Sequence, residues 1–235
     1  MSIIPGTDTH YARCLLSSPP PAESQAISRT ITTLQLQSHI EGGYFHETDR
    51  DRLLVPNPFK NLPLLTNATS KDTSDTRNAS TTIYYFLSPK SPVGRFHRNR
   101  GRTVHTLHWG RGRYVILHSD QRDSSGSGEV PIETFVVGKD IQKGEKVQWI
   151  VEGGKFKASF LLPDDDKGGD DATSEQGLLI SETVVPGFDY ADHDFMTAER
   201  MAEALGSHSR EELKWLLNAD EQQRLEGVLE EMGKK

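Results

Sequence analysis

An all-β sandwich or barrel with helices at both ends is the fold class that this sequence predicts, and three observations carry the prediction. From Ser80 to Val185 the chain is a succession of short segments rich in β-branched and aromatic residues, separated by turn signals. Before them, Ala26, Ile27, Ile31 and Leu34 recur at helical spacing. After Thr197, Leu213, Leu216 and Leu217, then Leu225, Val228, Leu229 and Met232, mark helical faces behind Ser209-Arg-Glu-Glu212 and Asp220-Glu-Gln-Gln223, two starts of capping type.

Taken in order, Pro19-Pro-Pro21 closes an N-terminal segment, residues 1–22. A short helix is expected over 23–36, and Gly42-Gly43 then releases the chain into a strand. Residues 50–79, rich in Pro, Asn, Asp, Ser and Thr, read as a long loop, either mobile or packed across a pocket mouth or partner. Strands follow at Thr81–Leu87, Thr103–Trp109 and Arg113–Leu117, then a Gly/Ser turn at Ser124–Gly128. Further strands are expected at Ile132–Val137, Lys146–Val151, Phe156–Leu162 and Leu178–Val185, with an exposed acidic hairpin tip over 163–177. The domain reading is one β domain over 23–196 with a helical C-terminal extension over 197–235.

Composition limits the partners. A net charge of -7 argues against general affinity for nucleic acid, which is itself a polyanion. No apolar run approaches the roughly 20 residues that span a bilayer, so no membrane is expected. Cys14 is the single cysteine, which excludes an intrachain disulfide. The N-terminus shows no basic start followed by an apolar stretch, and a cytoplasmic protein is expected. Arg95, Arg98, Arg100, Arg102, Arg111 and Arg113 form a local basic group, read either as a solvated loop and strand edge or as an anion-binding rim.

The run Gly94-Arg-Phe-His97-Arg-Asn99 to Thr103-Val-His105-Thr-Leu-His108-Trp-Gly110 resembles the first signature of the cupin superfamily. Together with Glu41–Thr48, Ser80–Leu87 and Val184–Asp189, in that order, it resembles the cupin-5 group, the domain of unknown function 985. The resemblance implies a jelly-roll barrel of the RmlC type, usually dimeric, with sugar-epimerase-like relatives and no settled reaction. It also implies that the metal ligands are eroded. His97 holds the first His place, Asn99 stands at the second, Thr103 at the Glu place and Phe156 at the last His. Asn and Thr are poor donors for a transition metal, so the expectation is no metal and no cofactor.

Within the strand, alternation puts Thr103, His105, Leu107 and Trp109 on one face. Since Thr103 occupies the inward place, His105 is expected inward too, either as a packed core histidine or as a second cavity imidazole. The expected function is binding of a sugar-like or carbonyl-containing small molecule, with Arg98, Asn99, Thr103, His105, Gln148 and Phe156 as ligand-binding candidates. The alternative is a metal-independent isomerase, epimerase or cyclase, with His97 as base and Tyr84 or Tyr44 as acid. A second alternative rebuilds a metal site from His97, His105 and a carboxylate from elsewhere. A homodimer is expected from the resemblance.

Overall fold

The computed structural model describes residues 2–65, 70, 74–121, 129–164 and 173–234. The Gly/Ser turn expected at 124–128 and most of the acidic tip fall outside them. In chain order the first elements are α1 (Gly6–Ser17), α2 (Gln25–Thr33), β1 (Gln37–Ser38), β2 (Tyr44–Arg50), β3 (Leu54–Pro56) and β4 (Thr76–Asn78). There follow β5 (Thr81–Leu87), β6 (Val93–Asn99), β7 (Arg102–Trp109), β8 (Gly112–Leu117) and β9 (Ile132–Val137). The chain continues through β10 (Gln148–Val151), β11 (Phe156–Leu161), β12 (Leu178–Val185) and β13 (His193–Phe195). It ends in α3 (Ala198–Ala204), α4 (Ser207–Leu213) and α5 (Ala219–Met232).

Two antiparallel sheets form a cupin-type jelly roll. One has the order β1-β2-β5-β12-β7-β10 and the other β13-β6-β11-β8-β9. Their inner faces meet through Tyr85, Leu107, Trp149 and Ile180 from the first sheet and Tyr114, Ile116, Phe135 and Leu161 from the second. The strands form where β-branched and aromatic residues alternate with polar ones, because each pleat sends neighbours to opposite faces.

Each sheet is covered on its outside by helix. Ser24 Oγ accepts the Ile27 amide and starts α2, which buries Ile27 against Phe86 and Leu179 on the outer face of the first sheet. Thr197 Oγ1 caps α3 by accepting the Arg200 amide. The C-terminal helices lay Met201, Leu213, Leu216 and Leu225 onto Phe96, Val115 and Phe160 of the second sheet. Ser209 lies inside α4 instead of capping a helix, and its hydroxyl donates to Glu129. The N-terminal segment contains a helix, α1, that Pro19–Pro21 only delimits.

Two local expectations change. The 50–79 excursion contains the hairpin β3–β4, paired from Leu54↔Asn78 to Pro56↔Thr76. Trp109 leaves the inner row: a register shift opposite Leu179 and Ile180 turns it toward the outer cluster, where its indole donates to the Gln176 carbonyl.

Candidate functional site

The sequence Glu41-Gly42-Gly43 builds the first part of the site. Gly42 has φ +96°, and a Cβ there would stand 2.1 Å from the Val93 carbonyl oxygen. Only glycine allows this approach to β6. The Arg95 amide donates to the Glu41 carbonyl (2.7 Å), and Tyr85 donates its hydroxyl to the Gly42 carbonyl (2.9 Å). The Glu41 side chain is thereby carried into the space between the sheets.

Three imidazoles surround that carboxylate. His193 Nε2 donates to Oε1 at 2.9 Å, while His97 Nε2 and His39 Nδ1 lie 3.2 and 3.4 Å from Oε2. The His97 and His193 rings stack, with centroids 5.6 Å apart. His97 Nδ1 donates to the Arg95 carbonyl at 2.8 Å, which fixes its proton on that nitrogen. Burial pushes the His97 pKa down to about 3, so the ring is neutral and Nε2 carries a lone pair without a hydrogen-bond donor. Burial opposes ionisation of Glu41, yet His39 and the His193 hydrogen bond hold it well below the ordinary carboxylate range. Burial also opposes protonation of His39, but Glu41 and Glu182 outweigh it and raise that pKa.

A second polar cluster adjoins the first. Lys157 Nζ lies 2.6 Å from Glu182 Oε2 and 2.9 Å from His105 Nε2, and all three residues are buried. His105 stacks on Trp149 with centroids 5.0 Å apart. Burial lowers the His105 pKa and the Lys157 ammonium lowers it further. The same ammonium and His105 overcome the desolvation of Glu182 and lower its pKa.

Glu41 and Glu182 open onto a cavity of about 240 Å³ walled by β2, β5, β12 and the segment after it. Phe45, Ile83, Val184 and Phe188 supply apolar wall, while Asn99, Asp189 and Arg50 supply polar groups. Ser70, from the excursion after β2, also lines this cavity.

The predicted site residues divide between this interior and other faces. His97, Thr103 and His105 are buried inside, and Asn99 lines the cavity with its carbonyl oxygen unpartnered. Tyr84 and Tyr44 do not join them. Alternation along β5 turns Tyr84 to the outer face, where it packs edge-on against His108 (5.6 Å) and Tyr44 lies beside Phe86. Tyr85, one residue along, is the inward tyrosine, and burial raises its pKa well above the ordinary value. Gln148 is exposed on β10 and reaches Thr106 on the outer side, because Trp149 takes the inward place.

Phe156 is also turned away from the cavity, into the core beneath the C-terminal helices. Lys157 is the residue that β11 sends inward. Arg98 leaves with Phe156: its guanidinium makes two hydrogen bonds to Asp194 (2.8 and 2.9 Å) and stacks 4.8 Å from the Phe156 ring centroid. The other arginines of the group also have protein partners. Arg95 donates to the Trp215 carbonyl, Arg100 to that of Phe59, and Arg102, Arg111 and Arg113 pair with Glu152, Glu145 and Asp8. These partners lie on different faces of the molecule.

For a metal, His97 and His105 fall into separate clusters, and Glu41 fills the centre on which His39, His97 and His193 converge. Among the described residues no group of three or more His, Cys, Asp or Glu side chains is arranged to hold a metal ion. No helix there is long and apolar enough to cross a membrane.

Sequence reasoning missed His39, His193, Lys157 and Glu182 as partners, and quoted Glu41 only as part of a motif. Glu41 had a signal, an acidic residue held by two glycines. Glu182 had another, a carboxylate midway along a strand with apolar residues at both ends. His39 stands two residues before Glu41 in the same turn, whereas His193 had no signal, since it meets Glu41 only through tertiary packing.

A jelly roll with a polar, histidine-rich interior defines the class as a cupin. The chain belongs to the Cupin_5 family of the cupin superfamily (DUF985), whose model matches residues 28–196. It is 39% identical over 199 residues to the uncharacterized protein YML079W of Saccharomyces cerevisiae, covering 84% of this chain and 89% of the relative. A hypothetical protein from Leishmania major has a similar structure, with TM-score 0.62 and 28% identity, covering 81% of this chain and 97% of that one. Protein SO0799 of Shewanella oneidensis shares the fold at TM-score 0.57 and 20% identity, covering 84% and 99%.

Proposed function

We propose that this protein binds a small sugar-like or carbonyl-containing ligand in the cavity between β2, β5 and β12. The observation that carries the reading is a set of buried polar atoms that lack hydrogen-bond partners, His39 Nδ1 and Asn99 Oδ1 in the lining of a cavity with apolar walls and His97 Nε2 beside its Glu41. Buried polar groups are normally satisfied, and ligand pockets combine apolar walls with a few convergent polar groups. The reading needs no metal or cofactor and includes a homodimer in the cytoplasm. Exposed Val147 and Ile150 on and beside the edge strand β10 support pairing of two copies.

A metal-independent isomerase is the second reading, favoured by the bare His97 Nε2. A neutral imidazole beside a carboxylate can take a proton from carbon or oxygen, and Glu41 would stabilise the imidazolium that forms. The test is untargeted mass spectrometry of small molecules retained by the purified protein, followed by His97→Ala. Retained binding with lost turnover supports the enzyme; equal loss of both supports the binder. Elemental analysis on the same sample tests the rebuilt metal site. One metal equivalent per chain, lost in His97→Ala, would replace both readings.

A further inference from the structure

The charges around the cavity are unevenly compensated. Arg50 is its one arginine or lysine among the described lining residues, and Glu47 takes that guanidinium through two hydrogen bonds of 2.8 and 2.7 Å. Arg50 also donates to Asn78 (3.0 Å) and to the Phe188 carbonyl (3.2 Å). Glu182 is matched by Lys157 behind the wall. Four carboxylates, Glu41, Glu47, Glu182 and Asp189, thus stand against two such cations, Arg50 and Lys157; Asp189 shares the charge of Arg50, and Glu41 has only imidazoles beside it.

The lone pairs point the same way. His97 donates from Nδ1 to a carbonyl, which can only accept, so its Nε2 faces Glu41 Oε2 at 3.2 Å as one acceptor against another. Asn99 lines the cavity with a buried carbonyl oxygen that no donor meets, whereas His39, whose pKa Glu41 raises, turns Nδ1 toward that same carboxylate at 3.4 Å. An acceptor cluster closed off from water calls for a donor, and surplus negative charge makes a cationic donor better than a neutral one. Phe45 and Phe188 line the cavity beside these groups, and aromatic rings favour cations over their faces.

We infer that the ligand presents a protonated primary amine to Glu41 and Asn99, carried on a compact ring or apolar body that packs between Phe45 and Phe188. This rests on the reading of the cavity as a ligand site and names the ligand's chemical class. It excludes carboxylates and phosphates, which would meet Glu41, Glu182 and Asp189.

Three probes of one shape separate the possibilities: benzylamine, benzyl alcohol and benzoate, titrated calorimetrically into the full chain at low ionic strength. Benzylamine should bind about tenfold or more tighter than benzyl alcohol, the ratio that one cation–carboxylate or cation–π contact supplies, and benzoate should not bind. Asp189→Asn, at the half-buried mouth, should weaken benzylamine about threefold or more by loss of one nearby charge and leave benzyl alcohol unchanged. Benzyl alcohol or benzoate binding as tightly as benzylamine, with the binding blocked by Val184→Trp, would overturn the amine and keep the cavity as a ligand site. Failure of all three probes to bind folded protein would overturn the amine and count against the cavity itself. Zinc binding at one equivalent that excludes benzylamine would overturn the amine in favour of a metal.

Discussion

Strand β11 has two faces, and they differ in kind. Outward it presents Phe156, Ala158 and Phe160 to the C-terminal helices, all buried in one apolar cluster with Leu162 just past its end. Inward it presents Lys157 and Ser159, beside Glu182 and His105, before Leu161 returns to the apolar core. Burial of a large apolar side chain contributes about 1.5–3 kcal/mol to stability, so the outer face holds the sheet and the helices together. A buried ion pair is often no better than apolar side chains of equal volume. The inner end is therefore polar at some cost to stability, a cost that the apolar outer face does not carry.

The largest test of this contrast is the ion pair itself. Lys157→Met strands the Glu182 carboxylate in the interior and should destabilise the fold by about 3–5 kcal/mol, the range for breaking a buried pair. Lys157→Met/Glu182→Met should regain most of the loss, because no charge is then left unpaired. Phe160→Ala should cost about 3–5 kcal/mol through lost burial and a cavity, with no second deletion that restores it. Urea unfolding of the four proteins measures all of this. A neutral Lys157→Met would break the comparison, since the inner cluster would then be solvated and not a dry ion pair.

The two faces should also separate by pH. The folded His97 pKa is about 3 against an ordinary 6.5, so between those values the unfolded chain binds a proton that the folded one does not. Stability from this group is complete above 6.5 and is lost as pH falls, by about 1.4 kcal/mol per unit for each net proton. Glu41 and Glu182, both lowered, act in the same direction below their ordinary 4.5. His39 is raised, so its contribution is present below 6.5 and is lost as pH rises through its folded value. Unfolding free energy should therefore drop toward acid and also ease on the alkaline side. Phe160→Ala should lower this curve without changing its shape, whereas His97→Asn should flatten the acid limb above pH 5. An unchanged acid limb in His97→Asn would remove His97 as the titrating group.

Much of the architecture was legible because local pattern and tertiary position agree. Thr81–Leu87, Ile132–Val137 and Leu178–Val185 are strands with the bounds that their composition suggests. The inward row of Thr103, His105 and Leu107 follows from simple alternation. The site was less legible for two physical reasons. Alternation makes a placement wrong by one residue wrong by a whole face, which is how Phe156 stood in for Lys157 and Tyr84 for Tyr85. The glutamate at the centre enters from the turn before β2 together with His39, and its other imidazole partners come from β6 and β13, segments far apart in the chain. No spacing rule connects them.

The smallest effect is the sharpest test of which face a tyrosine serves. Tyr84 and Tyr85 are adjacent, and both can be cut to phenylalanine without changing ring volume. Tyr85 gives its hydroxyl to the Gly42 carbonyl at 2.9 Å, inside the turn that places Glu41. Its loss leaves a carbonyl oxygen short of a donor and should cost about 1–2 kcal/mol. Tyr84 meets His108 through its ring, and phenylalanine preserves that contact, so Tyr84→Phe should stay within about 0.5 kcal/mol of the parent. Loosening the Gly42 turn should also free the Glu41 carboxylate and weaken ligand binding in Tyr85→Phe alone. Thermal unfolding with and without the retained small molecule reads both effects. Equal losses in the two variants would mean that the outer face of β5 also contributes to the site, and would return Tyr84 to the catalytic role that the sequence assigned it.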